Sequence, residues 1–221
     1  MKNLSEIEQN ILQSAEVYVK HELGQEKTGH DWWHIHRVVR SAEKIAAAEH
    51  ADMFVCMLAA YLHDIADEKL NPSKEAGMAK VENWLQEHSI AVKDREHILE
   101  IISTMSYNGG HNPPMRTIEG QVVQDADRLD AVGAISIARA FVYAGAKGHL
   151  IYDPSIKPRE AMSTDQYRNE ESTAINHFYE KLLKLKDLMN TEYGRKLAEH
   201  RHAFMEQYLE QFFNEWEGEV V

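Results

Sequence analysis

The run from Asp52 to about Ala66 is apolar on more than one face, so a helix formed there is stable only when other elements surround it. Asp52 can cap its start, because a carboxylate before the first turn accepts bonds from amide N–H groups that have no helical partner. The run closes on His63-Asp64, two strong metal ligands placed where the chain otherwise packs a core. Adjacent helical residues point about 100° apart, which lets two side chains grip one cation from neighbouring directions. Burying both without partners is costly, so compensating groups are expected from elsewhere in the chain. His34 upstream and Asp127, in Gln124-Asp125-Ala126-Asp127-Arg128-Leu129-Asp130 downstream, are the candidates.

The elements available to surround that helix are themselves helical. Ile7, Ile11, Leu12, Ala15 and Val19 recur at three- and four-residue intervals, as do Ile35, Val38, Val39, Ala42, Ile45 and Ala46. Asn71-Pro72-Ser73 breaks the chain, and Ser73 opens a helix to about His88. Another helix is predicted from about Asp94 to Met105, followed by the loop Asn108-Gly109-Gly110-His111-Asn112-Pro113-Pro114. Residues from Ile118 to about Tyr143 read as one long helix, and Gly145, Gly148, Pro154 and Pro158 mark an irregular stretch. From about Asp165 two long helices are predicted, the first bearing Ile175, Phe178, Leu182, Leu183, Leu185 and Leu188, the second Phe204, Tyr208, Leu209, Phe212 and Phe213. The aromatic residues of the last helix, Trp216 included, suit packing on the same chain. No alternating β pattern of useful length occurs, so the expected fold class is all-α.

A chain of 221 residues with 43% hydrophobic content can bury a full core, and no low-complexity stretch divides it. One domain over 1–221 is expected, with a core of about 25–145 and a C-terminal helical pair of about 165–217. The net charge of −12 argues against duplex DNA as a partner, since neutralising its phosphates takes clustered Lys and Arg. A phosphorylated small molecule would need local help from a cation. Cys56, alone of its type, has no intrachain disulfide partner and reads as a small buried hydrophobe. No apolar stretch reaches the roughly 20 residues that span a bilayer, and the N-terminus lacks a signal-peptide core; the cytoplasm is the expected location.

Two imidazoles and two carboxylates form a mixed N/O set suited to one divalent ion, with Mn²⁺ the first choice and Fe²⁺, Co²⁺, Ni²⁺, Zn²⁺ or Mg²⁺ as others. Open coordination positions would remain for water and a phosphate oxygen. His34, His63-Asp64 and Asp127 resemble, in order and approximate spacing, the ligands of the HD-domain metal-dependent phosphohydrolases. In His34-Ile35-His36-Arg37-Val38 the match selects His34 over His30 and His36, and Ala126-Asp127-Arg128-Leu129 selects Asp127 over Asp125 and Asp130. His30-Asp31-Trp32-Trp33-His34, the segment from Asp125 to Ala134 and the segment from Thr173 to Leu182 are similar to a bacterial subgroup of small, single-domain HD hydrolases. The resemblance implies a helical HD fold with its metal site between core helices. It also implies hydrolysis of a nucleoside triphosphate to monophosphate and pyrophosphate, or of a related phosphate ester.

Asp67 follows Asp64 by three residues and is expected near it on one helical face, with Glu68 adjacent. The resemblance implies Asp67 as the general acid or base at the nucleophilic water, with Glu68 as its substitute; a solvated helix end is the plain alternative. Asp130 is a competitor for the last metal position, or a group that orients a ligand imidazole. For the phosphate tail the substrate-binding candidates are Lys69, Arg128, Lys181, Asn176 and His177, with Lys184 one turn from Lys181. Each fits a surface or packing role equally well. Trp32 and Trp33 suit the core better than a base-stacking platform. Two other activities share the ligand set: an alarmone-type 3′-pyrophosphohydrolase, and a nucleotide- or metal-sensing module without turnover.

Overall fold

The computed structural model describes residues 4–24, 31–67, 70–106, 114–159 and 172–219, and every regular element among them is helical. The chain divides into two compact units, Met1–Asp127 and Arg128–Val221. No single helix among the described residues is long and apolar enough to cross a membrane.

In the first unit, α1 (Glu6–Leu23) starts at a capping box in which Ser5 and Glu8 satisfy each other's backbone N–H groups. Helix α2 (Trp32–Glu49) is capped by Asp31, whose side chain accepts from the His34 N–H, and it buries Ile35, Val38, Val39, Ala42, Ile45 and Ala46. Helix α3 (Met53–Leu62) is the apolar run foreseen from the sequence. Asp52 caps it by accepting from the Phe54 and Val55 N–H groups, and eight of its ten residues are buried. Helices α1, α2 and α5 (Val92–Thr104) pack around it, so it is central, as a helix with no polar face must be.

At His63 the winding tightens into a 3-10 turn, His63–Ala66, in place of a continued α-helix. Helix α4 (Lys74–Glu87), capped by Ser73, lies against that turn. The seating depends on Gly77, where a Cβ would stand 2.6 Å from the Ala66 carbonyl oxygen and 2.8 Å from Asn71 Nδ2. Asn71 Nδ2 in turn donates to the Ile65 and Asp67 carbonyls at 2.8 Å each. Gly77→Ala is therefore expected to destabilise the protein by about 1–3 kcal/mol, the usual cost of overpacking. Urea unfolding checks this, and an unchanged midpoint would mean that α4 does not seat closely on the turn.

Helix α6 (Ile118–Asp130) ends just beyond the boundary between the units. The sequence reads 118–143 as one helix, but the chain breaks over Ala131–Gly133 and resumes as α7 (Ala134–Lys147). Gly133 sits at φ +100°, a conformation that side chains with a Cβ rarely adopt, and is the N-cap of α7.

The second unit adds α8 (Ala174–Glu180), a 3-10 stretch Leu182–Leu188 and α9 (Glu192–Glu217). The expected pair of long helices is thus one long helix preceded by two short pieces, because Lys181 leaves helical geometry at φ −138°, ψ −60°. Phe178 is fully buried and stacks on Tyr208 with ring centroids 6.0 Å apart. Tyr152 meets Phe212, Phe213 and Trp216 edge-on, so the aromatic end of α9 does pack on its own chain.

Candidate metal centre

Three elements of the first unit deliver the candidate ligands. His34 comes from the first turn of α2, fixed there because its N–H bonds to the Asp31 cap at 2.9 Å. His63 and Asp64 come from the 3-10 turn that ends the central helix, and Asp127 from the end of α6. His34, His63 and Asp64 are buried. His34 Nε2 lies 3.5 Å from Asp64 Oδ2 and 3.3 Å from Asp127 Oδ1. His63 Nε2 lies 3.3 Å from Asp64 Oδ1 and 3.9 Å from Asp127 Oδ1. The ligand atoms of His34, His63 and Asp127 all fall within 4.8 Å of one another. Ligands about 2.1 Å from one ion stand roughly 3 Å apart when adjacent and about 4.2 Å apart when opposite, so these spacings suit a shared cation.

The protonation pattern at His63 points the same way. Nδ1 lies 2.8 Å from the Ala60 carbonyl oxygen, which can only accept, so Nδ1 carries a proton and donates. Nε2 is buried without a hydrogen-bond partner among the described residues. In the neutral ring that nitrogen presents a lone pair towards two carboxylates, an arrangement that a cation relieves. Burial pushes the Asp127 carboxyl up, but the His34 hydrogen bond and the electrostatic influence of the His63 and His34 rings outweigh it and hold it below the ordinary aspartate value. Asp127 has a third of its side-chain surface exposed, against 3–7% for the other three. The donor set thus fits one divalent ion.

The remaining candidates fall elsewhere. His36 is exposed, with the Trp32 and Trp33 rings each 5.9 Å away. Trp32 is buried and stacks on Tyr61, whereas Trp33 is 62% exposed. His30, Glu68, Lys69 and the loop 107–113 lie outside the described residues. Asp67 does not continue a helical face: it closes the 3-10 turn in extended geometry at ψ 131°, half-buried, with its N–H bonded to the Asp64 carbonyl at 3.0 Å.

Asp130 is buried and paired with Arg139, an anchoring contact in the second unit. Arg128 donates from its guanidinium to the Leu188 carbonyl. Asn176 is buried, its N–H bonded to the Thr173 cap and its Nδ2 donating to the Ile156 carbonyl at 2.9 Å; both contacts are packing ones. His177 is half-buried, and burial followed by the Lys181 charge pushes its pKa down to about 4, so the ring is neutral at pH 7. Lys181 caps α8 through its backbone, with its N–H on the His177 carbonyl. Arg139 and Arg201 were not foreseen. Arg201 reaches the end of α6 from 72 positions along the chain and Arg139 from nine, across the helix break, and no local period announces such contacts.

Residues 32–132 match the HD domain family model. A Lactobacillus plantarum protein of known crystal structure is 41% identical, with 98% of this chain and 100% of that chain covered and a TM-score of 0.84. An HD-superfamily hydrolase from Bacillus thuringiensis is 47% identical over 96% of this chain and 100% of its own, with a TM-score of 0.78. YpgQ of Bacillus subtilis is 39% identical over 213 residues, which cover 96% of this chain and 94% of YpgQ. The crystal structure of YpgQ in complex with ADP superposes with a TM-score of 0.77, covering 95% of this chain and 96% of that one.

Proposed function

The chain belongs to the HD-domain superfamily of hydrolases, and from that premise we propose that it is a divalent-metal-dependent phosphohydrolase acting on nucleotides. The observation that carries the metal half of the reading is the bare, buried Nε2 of His63 facing Asp64 and Asp127. The nucleotide half is supported by the ADP complex of YpgQ, a relative similar over nearly the whole chain.

His34, His63, Asp64 and Asp127 would hold the ion, with Mn²⁺ the first choice for a set of two imidazoles and two carboxylates. When bound, such an ion supplies Lewis-acid polarisation of a phosphate oxygen and a lowered pKa for water. The chain's own part is positional. His63 is locked in one tautomer by the Ala60 carbonyl, and Asp64 is set by the 3-10 turn so that its two oxygens face two different imidazoles. Asp67 leaves that same turn, and in this reading it takes or returns the proton of the attacking water. The exposed side of Asp127 is where the phosphate chain approaches.

The bond cut in this reading lies between the α- and β-phosphates of a nucleoside triphosphate, releasing monophosphate and pyrophosphate. A metal screen crossed with a nucleotide panel, with products identified by mass, tests it. The expected result is pyrophosphate and nucleoside monophosphate in the presence of Mn²⁺. Release of pyrophosphate from a guanosine 3′-diphosphate alone would replace the reading with the alarmone one. Saturable binding without product would replace it with a sensor.

A further inference from the structure

We infer that Arg201 and Arg139 are positioning residues for the metal centre, acting through the last turn of α6 that carries Asp127. The inference rests on the reading of Asp127 as a metal ligand. A helix ends with carbonyl groups that lack helical partners, and Asp127 stands in that final turn. Arg201, on α9, donates from Nη1 to the Leu129 carbonyl at 2.5 Å. Arg139, on α7, donates to the Asp130 carbonyl at 3.4 Å and to Asp130 Oδ2 at 2.5 Å. Arg128 adds a bond outward to the Leu188 carbonyl, so the residues directly after Asp127 are gripped at three successive positions.

The fold makes room for this grip. A Cβ on Gly133 would stand 3.0 Å from Arg201 Cβ and 3.2 Å from its Cγ, and the backbone there has φ +100°. The glycine that precedes α7 therefore also admits the stem of Arg201. Two guanidinium groups at a helix C-terminus are favourable to its dipole and offset part of the negative charge of an acid-rich segment. Asp130 is 5% exposed and its pairing with Arg139 leaves that side chain little freedom. Freed of these bonds, the final turn would fray, and the Asp127 oxygen would no longer stand within 3.3 Å of His34 Nε2 and 3.9 Å of His63 Nε2. Groups that orient a ligand from behind typically change metal affinity by about 10- to 100-fold.

The test is a Mn²⁺ titration of the full chain, following the free-ion electron paramagnetic resonance signal. Arg201→Met keeps the stem beside Gly133 and removes the donors; it should weaken Mn²⁺ binding roughly tenfold, with Arg201→Lys recovering part of the loss. Arg139→Met, which leaves Arg201 in place, should act in the same direction and carries the test if Arg201→Met fails to fold. Met205→Ala, a fully buried truncation elsewhere on α9, should lower Tm while leaving Mn²⁺ affinity unchanged. Unchanged affinity in both arginine variants overturns the inference, and so does an equal loss in Met205→Ala, which would mean general loosening. Asp127→Asn separates the two readings: if it too binds Mn²⁺ like the parent protein, Asp127 is not a ligand and the metal reading itself is at fault.

Discussion

Asp64→Ala is expected to lose bound divalent metal and phosphohydrolase turnover together. Asp64 bridges the site, with one oxygen 3.5 Å from His34 Nε2 and the other 3.3 Å from His63 Nε2. Without it the imidazoles keep only the more exposed Asp127 as a carboxylate partner within this set. Turnover should fall by roughly 10³-fold, equivalent to about 4 kcal/mol of transition-state stabilisation. The metal readout is independent of activity. An ion that binds the folded state at 100 times its Kd stabilises it by about 2.7 kcal/mol, so the parent protein's Tm should rise with Mn²⁺ and that of Asp64→Ala should not. Asp67→Asn should behave differently, keeping the Mn²⁺-induced rise while losing about 10²–10⁴ in kcat, the range for a lost proton-transfer group. If Asp64→Ala kept both metal and activity, the proposed centre would be wrong.

The largest stability effect is expected in the second unit, at Glu180. Its side chain is buried and takes bonds from Arg159 at Nε (2.9 Å), at Nη2 (2.8 Å) and at the backbone N–H (3.1 Å), with a further one from Ser172 Oγ (3.1 Å). Arg159 and Ser172 lie on either side of residues 160–171 in sequence, so one carboxylate ties together two distant points of the chain. Breaking a buried pair by removing one partner costs about 3–5 kcal/mol, because the other charge is left in place. Glu180→Ala should therefore lower Tm by roughly 6–20 °C at about 2–4 °C per kcal/mol.

The pH dependence at Glu180 has a definite sign. Burial pushes its carboxyl up, but the Arg159 bonds and charge, with Ser172, outweigh it and hold the pKa below the ordinary value. The stabilisation is then full above the unfolded-state pKa of about 4.3 and fades as the pH falls through the lower folded value. The difference between the parent protein and Glu180→Gln should shrink accordingly in acid. A gap that grew in acid would contradict the pairing.

Much of this was legible because it depends on local chemistry. Asp52, Ser73 and Asp31 announce helix starts, and the all-round apolar character of 53–62 requires a surrounded helix. His63-Asp64 inside an apolar run asks for partners, the resemblance to HD-domain enzymes selects His34 and Asp127, and the four side chains do meet. What escaped depends on winding or on distant contacts. Nothing in His63-Asp64-Ile65-Ala66 distinguishes an α-turn from a 3-10 turn; the tightening leaves Asp67 in extended geometry, not on the expected helical face. Ala131-Val132-Gly133-Ala134 carries no proline and reads as continued helix, yet Gly133 at positive φ divides α6 from α7. Leu182, Leu183, Leu185 and Leu188 keep helical spacing but wind as a 3-10 stretch after the chain turns at Lys181. Asp130 stands one turn beyond Asp127 and so competes with it in the sequence; its partner, Arg139, lies across the helix break that the pattern does not reveal.

In the proposed centre two imidazoles and two carboxylates from α2, the 3-10 turn and α6 share one divalent ion. Anomalous diffraction at the manganese edge, from crystals of the full chain grown with Mn²⁺, locates that ion. One strong peak is expected about 2.0–2.3 Å from His34 Nε2, His63 Nε2 and carboxylate oxygens of Asp64 and Asp127. A peak coordinated by other residues, or none at saturating Mn²⁺, would contradict it.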